Sequence, residues 1–165
     1  MPLQLRSWRG VLACIIAGIV GTLAFDVFGL ILGNPWWDIP TMLGEATGAG
    51  LFGGVLMHYA NGIILVTIFA GLLPLFWGPV WFRAMQFITI QVIFGVWLFM
   101  MPLMDAGAFG LEMGIMMPIG ALLRHWVFAA VAGLVYPPLL SRVEAQPVRE
   151  ERIGQTHEQR HRRAA

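Results

Sequence analysis

Four stretches of about 20 apolar residues, roughly 10–33, 51–75, 84–104 and 117–139, leave this 165-residue chain few folds to choose from. A helix that crosses about 30 Å of hydrocarbon at 1.5 Å per residue needs a run of that length. The expected fold is therefore all-α: a polytopic membrane protein with four transmembrane helices in a bundle. A hydrophobic content of 58% and a mean hydropathy of +0.75 are too high for a soluble domain of this size. The first run follows Arg6 and Arg9, as a signal peptide would. It is longer than an h-region of about 7–15 residues, and no small-residue cleavage site follows it, so it reads as a retained helix. Residues 1–140 form the expected membrane domain. Residues 141–165, rich in Arg, Glu and Gln, read as a tail that is either disordered or a frayed helix on the membrane surface. The lone Cys14 excludes an intrachain disulfide.

A pattern recurs at a constant offset. Pro35, Asp38, Glu45, Gly53, Leu56, His58 and the aromatic Tyr59 return as Pro102, Asp105, Glu112, Gly120, Leu123, His125 and Trp126, each 67 positions later. This spacing divides the membrane domain into two related hairpins. Each hairpin carries a histidine at the same depth.

Charge sets the expected orientation. Arg6 and Arg9 precede the first helix, Arg83 lies between the second and third, and six arginines lie in the tail. The other two loops carry acids only: Asp38 and Glu45 in one, Asp105 and Glu112 in the other. The positive-inside rule then places both termini in the cytoplasm and both acidic loops on the outer side. Tryptophan favours the headgroup level, so Trp36 and Trp37 mark the outer surface and Trp8, Trp77 and Trp81 the inner one.

Small residues allow helices to approach closely in lipid. Such stripes run through Ala13, Ala17 and Gly21 on helix 1, Gly50, Gly54, His58 and Gly62 on helix 2, and Ala121, His125, Ala129 and Gly133 on helix 4. Four ionisable residues interrupt the spans: Asp26, His58, Arg124 and His125. A charge at a helix centre costs about 2.5–3.5 kcal/mol on insertion scales, so these side chains should turn inward and find partners. Counting from the helix ends places them in one layer about 10 Å below the outer surface. Asp26 and Arg124 are the natural ion pair, fixing helix 1 to helix 4. Asn61 and Gln91 read as interhelical hydrogen-bonding groups.

The functional readings follow from that layer. Two histidines at matching height, among small residues, can ligate a b-type haem in a bundle core, with Arg124 pairing a propionate. The chain is then a non-enzymatic accessory or anchor subunit of a larger membrane complex, such as a respiratory or redox one. The alternative is a small metal-ion or proton-coupled transporter, in which His58 and His125 share a metal with Glu45 and Glu112. A transporter with four helices would need to dimerise to enclose a pathway. The expected partners are the bilayer and other membrane subunits, or a second copy. His157 and His161 have an i, i+4 spacing that suits a metal, but they read as part of a solvated tail. No phosphate loop, zinc motif or nucleophile elbow is present, and no folded basic domain supports nucleic-acid binding.

The segment from Gly10 to Gly29, the stretch Trp37-Asp-Ile-Pro-Thr-Met-Leu-Gly44, and His58-Tyr-Ala-Asn-Gly62 resemble uncharacterised bacterial four-helix inner-membrane proteins of the YagU-like group. That resemblance implies four helices and an inner-membrane location, and carries over no catalytic residue.

Overall fold

The computed structural model describes the backbone of residues 8–164 and the side chains of residues 8–140. Within those limits the chain is helical throughout, with no strand. Helix α1 spans Trp8–Ile31. A short helix, α2, spans Asp38–Thr47, and α3 spans Gly50–Leu72. Helix α4 spans Val80–Gln91 and continues as a π-helix over Val92–Met100, then one further turn to Leu103. A 3₁₀ segment at Ala108–Met113 leads into α5, Met116–Ala164. Four of these, Trp8–Ile31, Gly50–Leu75, Val80–Leu103 and Met116–Leu140, are long and apolar enough to cross a bilayer. The protein is a multi-pass helical membrane protein. Its spans match the four apolar runs to within a few residues.

Two features were not legible as apolar runs. The first acidic loop folds into α2, which lies against α3 with Gly54 backed onto the Pro40 carbonyl. Beyond Gln91, α4 is a π-helix. Its buried residues are Ala84, Ile88, Val92, Val96 and Met101, spaced by four or five positions. A 3.6-residue turn would let such a row drift around the helix, and the wider i→i+5 turn keeps it aligned.

The packing order explains the small-residue stripes. Helices α1 and α5 form the most closely packed pair, with α3 packed on α1 and α4 on α5. At the crossing of α1 and α3, a Cβ on Gly18 would lie 2.6 Å from the Ile63 Cα, so the backbones touch. Ala13, Ala17 and Gly21 are buried on α1, and Ala129 and Gly133 on α5. Close contact replaces the hydrophobic drive that lipid cannot supply. Helices α3 and α4 meet through side chains, including Phe69 and Phe87 at 5.8 Å between centroids. The two halves therefore share one up-down plan but not equal surroundings, because the most closely packed pair takes the first helix of one hairpin and the second of the other.

Tryptophans cluster at both ends of the bundle: Trp8, Trp77 and Trp81 exposed at one, Trp36 at the other. The backbone of α5 runs on as helix to Ala164. Arg, Glu, Gln and Ala in that stretch are all good helix formers. The side chains of that segment, including His157 and His161, lie outside the described residues.

Candidate functional site

The polar layer exists, and it is built around Phe25. The Phe25 ring sits 5.5 Å from the His58 ring and 5.0 Å from the His125 ring, centroid to centroid. The Arg124 guanidinium stands over the same ring at 4.2 Å. One aromatic side chain on α1 thus gathers a histidine from α3 and an arginine and a histidine from α5. The shared depth inferred for the four ionisable residues is what brings them to one place.

The pairing within the layer differs from expectation. Asp26 does not take Arg124 as its partner. Its Oδ1 lies 2.9 Å from His58 Nε2, and its Oδ2 accepts the Tyr59 hydroxyl at 3.2 Å. Adjacent residues on α3 thus hold both oxygens of one buried carboxylate, itself only 3% exposed. Arg124 instead donates to Asp38 on α2, from Nη1 to Oδ2 at 2.5 Å and from Nη2 to Oδ1 at 2.9 Å. This two-pronged geometry suits a guanidinium and a carboxylate well.

The physical reason for the exchange is reach. Arg124 passes over Gly29, where a Cβ would come within 2.6 Å of Nη2. Glycine at that position lets the side chain cross α1 without displacing the guanidinium. Gly29 lies about one helical turn beyond Asp26, so the guanidinium ends nearer the loop than the mid-span acid. Asp38 meets it as the first residue of α2. The preceding Trp37 has φ = 64°, a left-handed turn that is uncommon outside glycine and sets the start of α2. The Asp38 Oδ1 also accepts the Ile39 N–H, which holds the carboxylate in place. Asp38 was read as a loop acid, Tyr59 as the aromatic after a histidine, and Phe25 not at all. An apolar residue beside a buried acid carries no sequence signal of this role.

His125 Nδ1 lies 2.7 Å from the Ala121 carbonyl, which can only accept, so Nδ1 carries the proton. Its Nε2 then presents a lone pair. His58, with Nε2 engaged by Asp26, has no such freedom on that atom. A haem held between the two histidines does not fit this arrangement: Phe25 packs against both imidazoles, and His58 would have to leave Asp26. The shared metal is not assembled either. Glu45 and Glu112 are exposed on the loop segments, and no group of three His, Cys, Asp or Glu side chains suited to a metal occurs among the described residues.

Asn61 and Gln91 were expected to bond between helices. Neither does so among the described residues. Asn61 is exposed and without a hydrogen bond, and Gln91 has its Oε1 buried and unpaired. The interhelical side-chain bond between α4 and α5 is made by Trp126 Nε1, which donates to Thr89 Oγ1 at 2.9 Å. Cys14 is buried at the other end of the bundle.

The fold and this layer together define a four-helix membrane bundle with an internally paired polar core. No family model, no curated protein and no solved structure matches the chain.

Proposed function

We propose that the chain is a non-catalytic integral membrane subunit of the bacterial inner membrane, with both termini in the cytoplasm, that serves as an anchor or accessory component of a larger assembly. The observation that supports this most is how the layer spends its charges. Arg124 and Asp38 tie α5 to α2 across α1, and Asp26, His58 and Tyr59 tie α1 to α3. Each buried charge thus fixes the relative position of helices. Charge pairs of this kind set register in preference to adding stability. The loop charges support the orientation.

The test is native electrophoresis of the chain from mild-detergent extracts of its own host, followed by identification of co-migrating chains. Migration in an assembly with other polypeptides is expected. Migration as this chain alone would overturn the reading. A reduced-minus-oxidised absorbance spectrum of the same material examines haem directly. A Soret band lost in His125→Ala but retained in His58→Ala would mean that the open Nε2 of His125 serves as a single axial ligand.

A second reading, a proton-coupled role, is favoured by the charge count of the layer. The layer holds two carboxylates, Asp26 and Asp38, and one arginine, and Asp26 has a histidine as its hydrogen-bonding partner. Ionisable groups inside a bilayer often mark proton paths. Proteoliposomes with a trapped pH indicator test it: acidification under an imposed potential, abolished by Asp26→Asn, would support it. Vesicles as tight as empty ones would dismiss it.

A further inference from the structure

Asn61 stands out among the groups that the polar layer does not use. It lies on α3, eleven residues after Gly50, so about 16 Å from the helix start and close to the middle of a hydrocarbon core of about 30 Å. Its side chain is exposed, with Ala60, Ile64 and Ile68 exposed beside it, and makes no hydrogen bond among the described residues. A carboxamide has two N–H donors and a carbonyl acceptor, and lipid tails satisfy none of them. Gln91 is a second unpaired carboxamide within the spans, but its oxygen is buried inside the chain and out of reach of a partner.

We propose that this face of α3 is a homodimer interface in which the Asn61 carboxamides of two copies hydrogen-bond to each other. Copies inserted in one membrane share one topology, so a two-fold axis along the membrane normal brings both Asn61 side chains to the same depth without adjustment. The carboxamide is self-complementary: the N–H of each donates to the oxygen of the other. A different partner would need a polar group at that same depth, whereas a second copy always has one. The approach is unobstructed. Ala60 adjoins Asn61, and two turns earlier a Cβ on Gly53 would meet only Ala49 of its own helix turn, with nothing from another helix nearby. The Asp26–His58–Tyr59 site faces α1, so pairing through Asn61 leaves it intact. This inference goes beyond the subunit reading and is tested on the purified chain alone.

The experiment uses the full chain in phosphatidylcholine vesicles over a series of protein-to-lipid ratios. A single cysteine at Glu45, in a Cys14→Ala background, carries donor or acceptor dye for energy transfer. Concentration-dependent pairing is expected for the reference protein. Asn61→Leu should weaken it roughly ten-fold or more, from the loss of two interhelical hydrogen bonds at membrane strength. Asn61→Gln should restore most of it, and Ile64→Cys should give a symmetric disulfide on oxidation. Equal helix content by circular dichroism shows that the variants fold. A chain that stays monomeric at every ratio, or pairs equally well with Leu at 61, or is not rescued by Gln, overturns the proposal.

Discussion

The bond between Arg124 and Asp38 is the most testable consequence of this structure, because its two ends are not equally buried. The Arg124 side chain is 6% exposed and the Asp38 side chain 22%. Removing one partner of a buried pair costs about 3–5 kcal/mol, chiefly through the charge left behind. Asp38→Ala strands the guanidinium in the bundle, with the Phe25 face as its remaining polar contact and Nε already unpaired. A loss near the lower end of that range, about 3 kcal/mol, follows for this partly wet pair. Arg124→Met strands Asp38 instead. That carboxylate sits at the loop edge, keeps the Ile39 N–H and can rehydrate, so the expected loss is smaller, on the order of 1–2 kcal/mol. The double variant removes both charges and should be more stable than Asp38→Ala alone.

Unfolding in detergent, followed by circular dichroism or by steric trapping, measures all four corners of the cycle. The predicted order is reference, then Arg124→Met, then the double variant close to it, then Asp38→Ala. A coupling of about 2 kcal/mol is expected, roughly a thirty-fold change in the folded ratio. Additive losses would refute the bond, and so would the reverse asymmetry. Coupling of Arg124 to Asp26 in place of Asp38 would refute the pairing itself.

Four further outcomes follow. Gly18→Ala, pressed to 2.6 Å from the Ile63 backbone, should destabilise by about 1–3 kcal/mol, whereas Gly120→Ala, with open space around it, should be neutral or slightly stabilising in the same melts. Tyr59→Phe should cost about 0.6–1.7 kcal/mol, the range for a membrane hydrogen bond, and His58→Phe distinctly more, because Asp26 then lacks its nearest partner. Trp126→Phe should lose only the bond to Thr89, about 0.6 kcal/mol by the same melts, and a loss above 2 kcal/mol would give the indole another role. In a Cys14→Ala background, an impermeant maleimide should label Glu45→Cys in intact cells and leave Gly78→Cys unlabelled until the membrane is opened; the opposite pattern would invert the orientation.

The spans were legible because the bilayer imposes a length, and a length can be counted. That the ionisable residues gather in one layer was legible for the same reason: position along a helix converts directly to distance. Pairing within the layer was not, since depth along the axis says nothing of the angle around it. Asp26 and Arg124 share a level, yet His58 and Tyr59 approach Asp26 from α3 while Arg124 crosses at Gly29 toward the loop. That outcome also depended on α2, a ten-residue helix too short and too polar to register as a span. Without it, Asp38 is an acid in a loop and Arg124 has no reason to pass over Asp26.

The recurring pattern obeys the same division between depth and surroundings. A constant offset of 67 fixes equal depth for His58 and His125, and both do reach Phe25. Equal depth would make a symmetric site only if the hairpins had equal neighbours. They do not: α3 packs on α1, while α5 is flanked by both α1 and α4. His58 therefore meets a carboxylate across its interface, and His125 turns back to a carbonyl of its own helix. The position matching Asp26 in the second hairpin is 93, an isoleucine, so no second carboxylate awaits His125. Two copies of one pattern thus yield one paired imidazole and one with a free nitrogen. Any chemistry in this layer must be written for two unlike histidines.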